Sequence, residues 1–515
     1  MLGHEWSEAA FRRGMVPCVP SGGRTMAPVH SCAVATARAV GRAHPQSGVF
    51  ALMLAAILLV GCAAFSPDAG MDAVRDIASA ELNQNALKTD TAEKAIAAEA
   101  RVRRLLSAPL SANAAVEIAL LNNKGLQAAY NDLGMAEAAK VASSLPPNPA
   151  FSASGISTPV ELDLEARLVA DVLALATLPA RAAIADQRFR QAQLAAATET
   201  LRVGVKARRD YYRAVAARAL ATYLVEAQSA AETSAKVANE LASTGAMNKL
   251  DQAREQSFSV ELQTQLVGAR QEAARAREVL IRTLGLSGND LRFRLPEALP
   301  ALPRQIRNLS RVEVETIRRR LDLQIARIEV DALAKSYGLT KATRFINLLE
   351  VGGVSRTQRD ASGVRGTGGG AEVEIQVPIF DFGEVRVREA GEAYMGAVNR
   401  LTEKAVNARS EAREAYAAYR SSYDIARRYR DHVLPLRKVI TEETMLRYGA
   451  MQIDVFGLLA EARQRLAANV AAINAQRDFW LASANLGAAI AGGARETGLE
   501  PSPSGANVPG TAANE

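Results

Sequence analysis

Thr244-Gly245-Ala246-Met247 and Tyr448-Gly449-Ala450-Met451 are the stretches on which the fold turns. They lie about 200 residues apart, and each interrupts a long helix-forming run that resumes as a shorter one. Each run is preceded by two short segments of alternating polarity. A duplication of this size fixes the architecture before any single residue is interpreted. Two copies of strand, strand, long helix, reversal and return helix describe an assembly part, not an enzyme.

The helical runs are long. After Pro179, which suits a first helical turn, no proline occurs before Thr244. Roughly 65 residues at 1.5 Å each make a rod on the order of 100 Å, far beyond an ordinary globular helix. Such a rod belongs in a coiled coil or helical barrel. The return run, Met247 to about Leu284, ends at Gly285. In the second copy Pro435 is expected to kink the long helix.

The segments before each rod read as strands. Ala150–Ile156 is a short candidate. From 162 to 174, Leu162, Leu164, Ala166, Leu168, Ala170 and Val172 alternate with Asp163, Glu165, Arg167, Val169 and Asp171. The second copy has a candidate at 343–354, a flexible Gly-rich loop through Gly370, and a strand at about 371–379. There Ala371, Val373, Ile375 and Val377 alternate with Glu372, Glu374 and Gln376. Period two makes one face apolar and the other charged. A soluble sheet edge or a transmembrane barrel strand would satisfy that pattern. Before the first strand an N-cap at Ser111 opens a helix expected to run to about Ser144, stopped by Pro146-Pro147.

Composition agrees with long helices: 49% of residues are hydrophobic but only 5% aromatic. The net charge of +7 is mixed along the chain, and reads as solvated helix surface, not a site for nucleic acid or acidic substrates. The one strongly apolar run, Val49–Val60, is too short to span a bilayer as a helix. It follows Arg38 and Arg42 and ends in Leu59-Val60-Gly61-Cys62, as a secretory signal does. Met26 is the more normal start, which makes residues 1–25 an upstream extension. Cleavage before Cys62 would leave one cysteine and no internal disulfide.

No constellation carries chemistry. His432 would be the only histidine left after cleavage. There is no Cys/His cluster with metal spacing, no phosphate-binding loop and no nucleophile motif. No catalytic residue, metal site or cofactor is expected. The expected organisation is a signal segment over 1–61, a tether over 62–109 and a first repeat over 110–295 with its helix hairpin at 179–285. A connector over 296–308, a second repeat over 309–492 with its hairpin at 383–490, and a disordered tail over 493–515 complete it.

Taken in order, several short motifs resemble the TolC family of outer-membrane efflux proteins. They are Ala115-Val116 with Ala119-Leu120, Asn123 and Leu126, and the Leu145-Pro146 break. They continue as Val377-Pro378-Ile379-Phe380-Asp381-Phe382-Gly383, Val433-Leu434-Pro435, Arg447-Tyr448-Gly449 and Asp478-Phe479-Trp480-Leu481-Ala482. Lys124 departs from the pattern, where the family often has Pro, and so does Arg320-Leu321 in the second copy.

The resemblance implies a mainly α fold with transmembrane β: a coiled-coil α-helical barrel joined to a twelve-stranded β-barrel shared by a homotrimer, four strands per chain. It implies an exit duct whose tips, Gly245, Ala246 and Met247 with Gly449, Ala450 and Met451, dock a periplasmic adaptor linked to an inner-membrane pump. Cys62 would be the acylated first residue of a lipoprotein anchored in outer-membrane lipid, and Ala63 after it would permit outer-membrane sorting. Asp251 and Asp454, just past the tips, would form carboxylate rings at an aperture. Leu446–Arg463 resembles a subgroup associated with heavy-metal resistance, and the exported substrate stays open between small molecules and metal ions. A type I protein-secretion duct and a pore-less, lipid-anchored periplasmic scaffold are the alternatives.

Overall fold

The computed structural model describes residues 65–159, 161–360 and 362–492. Contacts divide the chain into Met1–Cys62 and Ala63–Glu515, and all described residues belong to the second unit. The signal segment, Cys62 and the tail from 493 onward lie outside the described residues.

Among the described residues two helices, α1 (Asp72–Leu82) and α2 (Ala92–Leu106), precede the first repeat. That repeat is α3 (Ala112–Asn122), α4 (Lys124–Ser144), β1 (Ala150–Ser157), β2 (Leu162–Asp171), the short α5 (Val172–Ala176), α6 (Leu178–Ser243) and α7 (Lys249–Leu284). The second is α8 (Val312–Arg319), α9 (Leu321–Ala342), β3 (Leu348–Arg359), β4 (Arg365–Gln376), α10 (Glu384–Arg428), a π turn (Tyr429–Val433), α11 (Leu434–Gly449) and α12 (Val455–Ala491). The described residues are mainly helical, with one four-stranded antiparallel sheet in the order β1-β2-β3-β4.

The helix expected from Ser111 to Ser144 is two helices. Ser111 does cap the first, accepting from Ala114 N at 3.1 Å. At Asn123 the backbone leaves the helix (φ −68°, ψ 110°), and the Asn123 side chain caps α4 at Leu126 N. Asn123 Nδ2 and Asn122 Nδ2 donate to the carbonyls of Thr283 and Gly285 at 3.0 and 2.6 Å, satisfying the open end of α7. The second copy breaks at Arg320 (φ −65°, ψ 118°), held by Asp322 and Glu411 at 2.9 and 2.6 Å. Both breaks fall three residues before the matched Leu126-Gln127 and Leu323-Gln324. Lys124 occupies the first position of α4, where Pro is tolerated but not needed.

The strands also differ from expectation. β2 stops at Asp171, whose carboxylate turns to cap Ala174 N at 2.7 Å. β3 begins at Leu348, not 343, because α9 continues to Ala342. Gly366–Gly370, expected as a flexible loop, lies within β4 and pairs with Gln358 through Val354 of β3. A ladder needs only backbone groups. The loop shrinks to a turn in which Asp360 accepts from the backbone of Ser362 and Val364, both at 2.9 Å.

The core sits midway along the rods, where α3, α4 and the N-terminal helices pack on the centre of α6. Gly204 lets Leu82 lie against it: an added Cβ would sit 2.5 Å from Leu82 Cδ1. Tyr130 is fully buried and bonded to Thr200 Oγ1 at 3.0 Å, and burial pushes its phenol up to about 12. Phe479 and Trp480 of α12 stack with Tyr419 of α10 and Tyr212 of α6, joining the two repeats. Pro435 interrupts the second rod as expected. The helix widens to the π turn just before it, which accommodates the missing N–H and the ring.

Candidate functional site at the sheet and the hairpin tips

The register assigns each strand residue to a face, since residues directly opposite each other share one. Phe151, Leu164, Leu168, Val351, Val373 and Ile375 fall on one side. Asp163, Glu165, Arg167, Glu350, Arg356, Glu372 and Glu374 fall on the other. Large apolar side chains on the first side are exposed: Phe151 is 71% exposed and Val373 60%. The charged side is cross-linked between strands, with Arg356 Nε on Asp163 at 2.9 Å and Arg167 on Glu372 at 3.3 Å. Strands of eight to twelve residues suit a tilted crossing of a hydrocarbon layer. Among the described residues the outer edges of β1 and β4 have no strand beside them.

The sheet passes into the rods at Gly383. Its φ is +74°, and a Cβ there would lie 2.2 Å from the Arg344 carbonyl oxygen. Only glycine permits so close an approach of two backbones in the left-handed conformation.

At the opposite end of the rods lie the two reversals, and they differ from their sequence match. After α6, Gly245 takes the left-handed conformation at φ +78°, and Ala246 N donates to Leu241 O at 2.9 Å. After α11 the left-handed residue is Met451 at φ +57°, and Gln452 N donates to Arg447 O at 2.9 Å. Both are Schellman closures. Gly245 therefore corresponds to Met451, and the two Gly-Ala-Met triplets are out of structural register by two residues. Gly449 is the last residue of α11, with open space around it. A non-glycine residue in this conformation costs about 1–2 kcal/mol, yet the Met451 side chain is 94% exposed.

The same shift separates the two aspartates. Asn248 and Asp454 are the equivalent N-caps, accepting from Asp251 N and Gly457 N, both at 2.9 Å. Asp251 accepts from the Asn248 side-chain amide, pairs with Arg254 at 3.1 Å and is only 7% exposed. Asp454 is exposed.

A clasp that the sequence did not reveal joins the hairpins above the tips. Arg463 of α12 reaches the Arg254 carbonyl of α7 at 3.3 Å, Glu255 at 3.6 Å and the Phe258 ring at 4.5 Å. Burial raises the Glu255 carboxyl, opposed by the Arg463 charge and a bond from Ser234. Arg437 holds Glu461 at 3.1 Å in the same way within the second hairpin.

Among the described residues no group of His, Cys, Asp and Glu could hold a metal ion, and no helix is long and apolar enough to cross a membrane. His432 is exposed in the π turn beside Asp431, whose carboxyl Arg430 and Arg427 hold down at about 2.

No family model matches the chain, and no curated protein matches it. Solved structures do. The Campylobacter jejuni CmeC outer membrane channel is 16% identical with a TM-score of 0.62, over 75% of this chain and 87% of that one. The outer membrane protein VceC of Vibrio cholerae is 14% identical with a TM-score of 0.58, over 77% and 97%. The Neisseria gonorrhoeae MtrE outer membrane channel, in its open state, is 17% identical with a TM-score of 0.57, over 74% and 88%. The chain has the fold of these TolC-type outer-membrane channels.

Proposed function

We propose that this chain is one protomer of a trimeric outer-membrane exit duct, the passive last section of a tripartite efflux system. The observation that carries the reading is the sheet: one apolar face, one charged face and two open edges, continuous with rods about 100 Å long. An open edge is not tolerated in lipid. Four strands is an even number, so β4 of one copy can meet β1 of the next antiparallel, as every other pair in the sheet does. Three copies give twelve strands, the assembly implied by the resemblance. The charged faces then line a wet lumen and Phe151, Leu164 and Val373 face lipid.

On this reading the rods form a periplasmic tunnel, and the two tips dock a periplasmic adaptor fed by an inner-membrane pump. Asp454, exposed at the start of α12, is the carboxylate suited to a ring at the aperture, whereas Asp251 is committed to the Asn248 side chain and to Arg254. Residues 62–109 serve as the lipidated tether. The exported cargo is a small molecule or a metal ion. Planar-bilayer recording of protein extracted from outer membranes tests the duct. Discrete ion-conducting steps are expected, and a preparation with intact strands that never conducts would favour the pore-less scaffold.

A further inference from the structure

The two tips have the same backbone and different chemistry. Gly245 closes the first reversal in the left-handed conformation that glycine adopts freely. Met451 closes the second in the same conformation, although glycine would fit that position better. The glycine of the second tip, Gly449, stands two residues earlier in the helix, where its freedom is not required. Nothing lies within 4 Å of where a Cβ would stand on it. Met451 is therefore an unsupported apolar side chain on a strained residue.

A strained residue persists where its side chain has a use. The 94% exposure of Met451 shows that its use is not within the protomer's own packing. Tyr448 and Leu446, near the end of α11, are also exposed, 41% and 68%. Methionine, unbranched and polarisable, fills an irregular apolar socket well.

We propose that Met451 is the recognition residue of the second tip, an apolar peg that enters an uncharged socket on the docked adaptor protein. The first tip meets the same partner through bare backbone at Gly245, so the two tips are not interchangeable. This rests on the reading that the tips are the docking surface.

The test uses the full-length channel in its own host and measures co-purification with the host's own tagged adaptor after in-cell cross-linking. Met451→Leu keeps an apolar peg and should retain wild-type recovery. Met451→Gln keeps the length but not the apolarity, and Met451→Gly relieves the backbone. Both should lower recovery at least tenfold while the outer-membrane level stays unchanged. Gly449→Trp, placed in open space at a helical φ, blocks the tip without straining it and should abolish recovery. Wild-type recovery by Met451→Gln and Met451→Gly, with Gly449→Trp lost, would overturn the peg and leave tip docking standing. Wild-type recovery by all variants would overturn tip docking itself. Tip-to-tip pairing of channels through Met451, in the absence of adaptor, would overturn the choice of partner.

Discussion

Two glycines of the second repeat should respond oppositely to the same substitution. Gly383→Ala places a Cβ on a residue with φ +74°, 2.2 Å from the Arg344 carbonyl oxygen and 2.9 Å from its carbon. The left-handed conformation costs an alanine about 1–2 kcal/mol. The overlap is with backbone, which cannot rotate away, and forcing it apart adds about 1–3 kcal/mol. The sum, about 2–5 kcal/mol, falls on the junction between sheet and rod. Gly449→Ala places the same methyl in open space within a helix, where alanine is favoured by about 0.5–1 kcal/mol. Thermal melts in detergent, followed at 222 nm at one scan rate, should show Gly383→Ala melting well below wild type and Gly449→Ala at or slightly above it. A Gly383→Ala protein as stable as wild type would refute the close approach at the junction. Equal losses from both would show that glycine content, not local geometry, governs the response.

Glu255 gives a pH dependence with a definite sign. Its folded carboxyl is raised above the ordinary 4.5, so its contribution is present below that value and fades as pH rises through the folded one. Glu255→Gln should raise the melting temperature at neutral pH and flatten the profile on acidification; a lower melting temperature at neutral pH contradicts this account of the clasp. On the sheet, Leu164→Arg puts a charge on the apolar face at a cost of about 2–4 kcal/mol near mid-bilayer. It should sharply reduce assembled protein in the outer membrane, whereas Asp163→Asn on the opposite face should not. Equal tolerance of both, read by quantitative blotting of outer membranes, refutes the assignment of faces. Cys62→Ser should block acylation, read by loss of radiolabelled palmitate, and lower the outer-membrane level. Unchanged labelling would exclude Cys62 as the modified residue.

The duplication, the two rods and the alternating strands were legible because each rests on local periodicity. The break at Asn123 was not. No proline marks it, and its cause is a pair of asparagine amides reaching Thr283 and Gly285, some 160 residues away in sequence. Arg320 makes the matching break without a capping side chain, through Asp322 and Glu411. The glycines of β4 look like a loop because composition reports side chains, while the ladder with β3 uses backbone alone. The tips mislead most. The identity of two Gly-Ala-Met triplets suggested a shared register, but helix length sets the turn, and the second helix runs two residues further past the matched point. That shift moves the left-handed position from glycine to Met451 and separates the two aspartates into a partner of the N-cap side chain and an N-cap. The Arg463 clasp was invisible, since it depends on how two hairpins of different repeats lie together.

The shared barrel is tested most directly by native mass measurement of the protein extracted in mild detergent from purified outer membranes. Three chains per particle are expected, because four strands with open edges need neighbouring copies to close. A single chain, or protein released from the membrane by salt alone, would contradict the account.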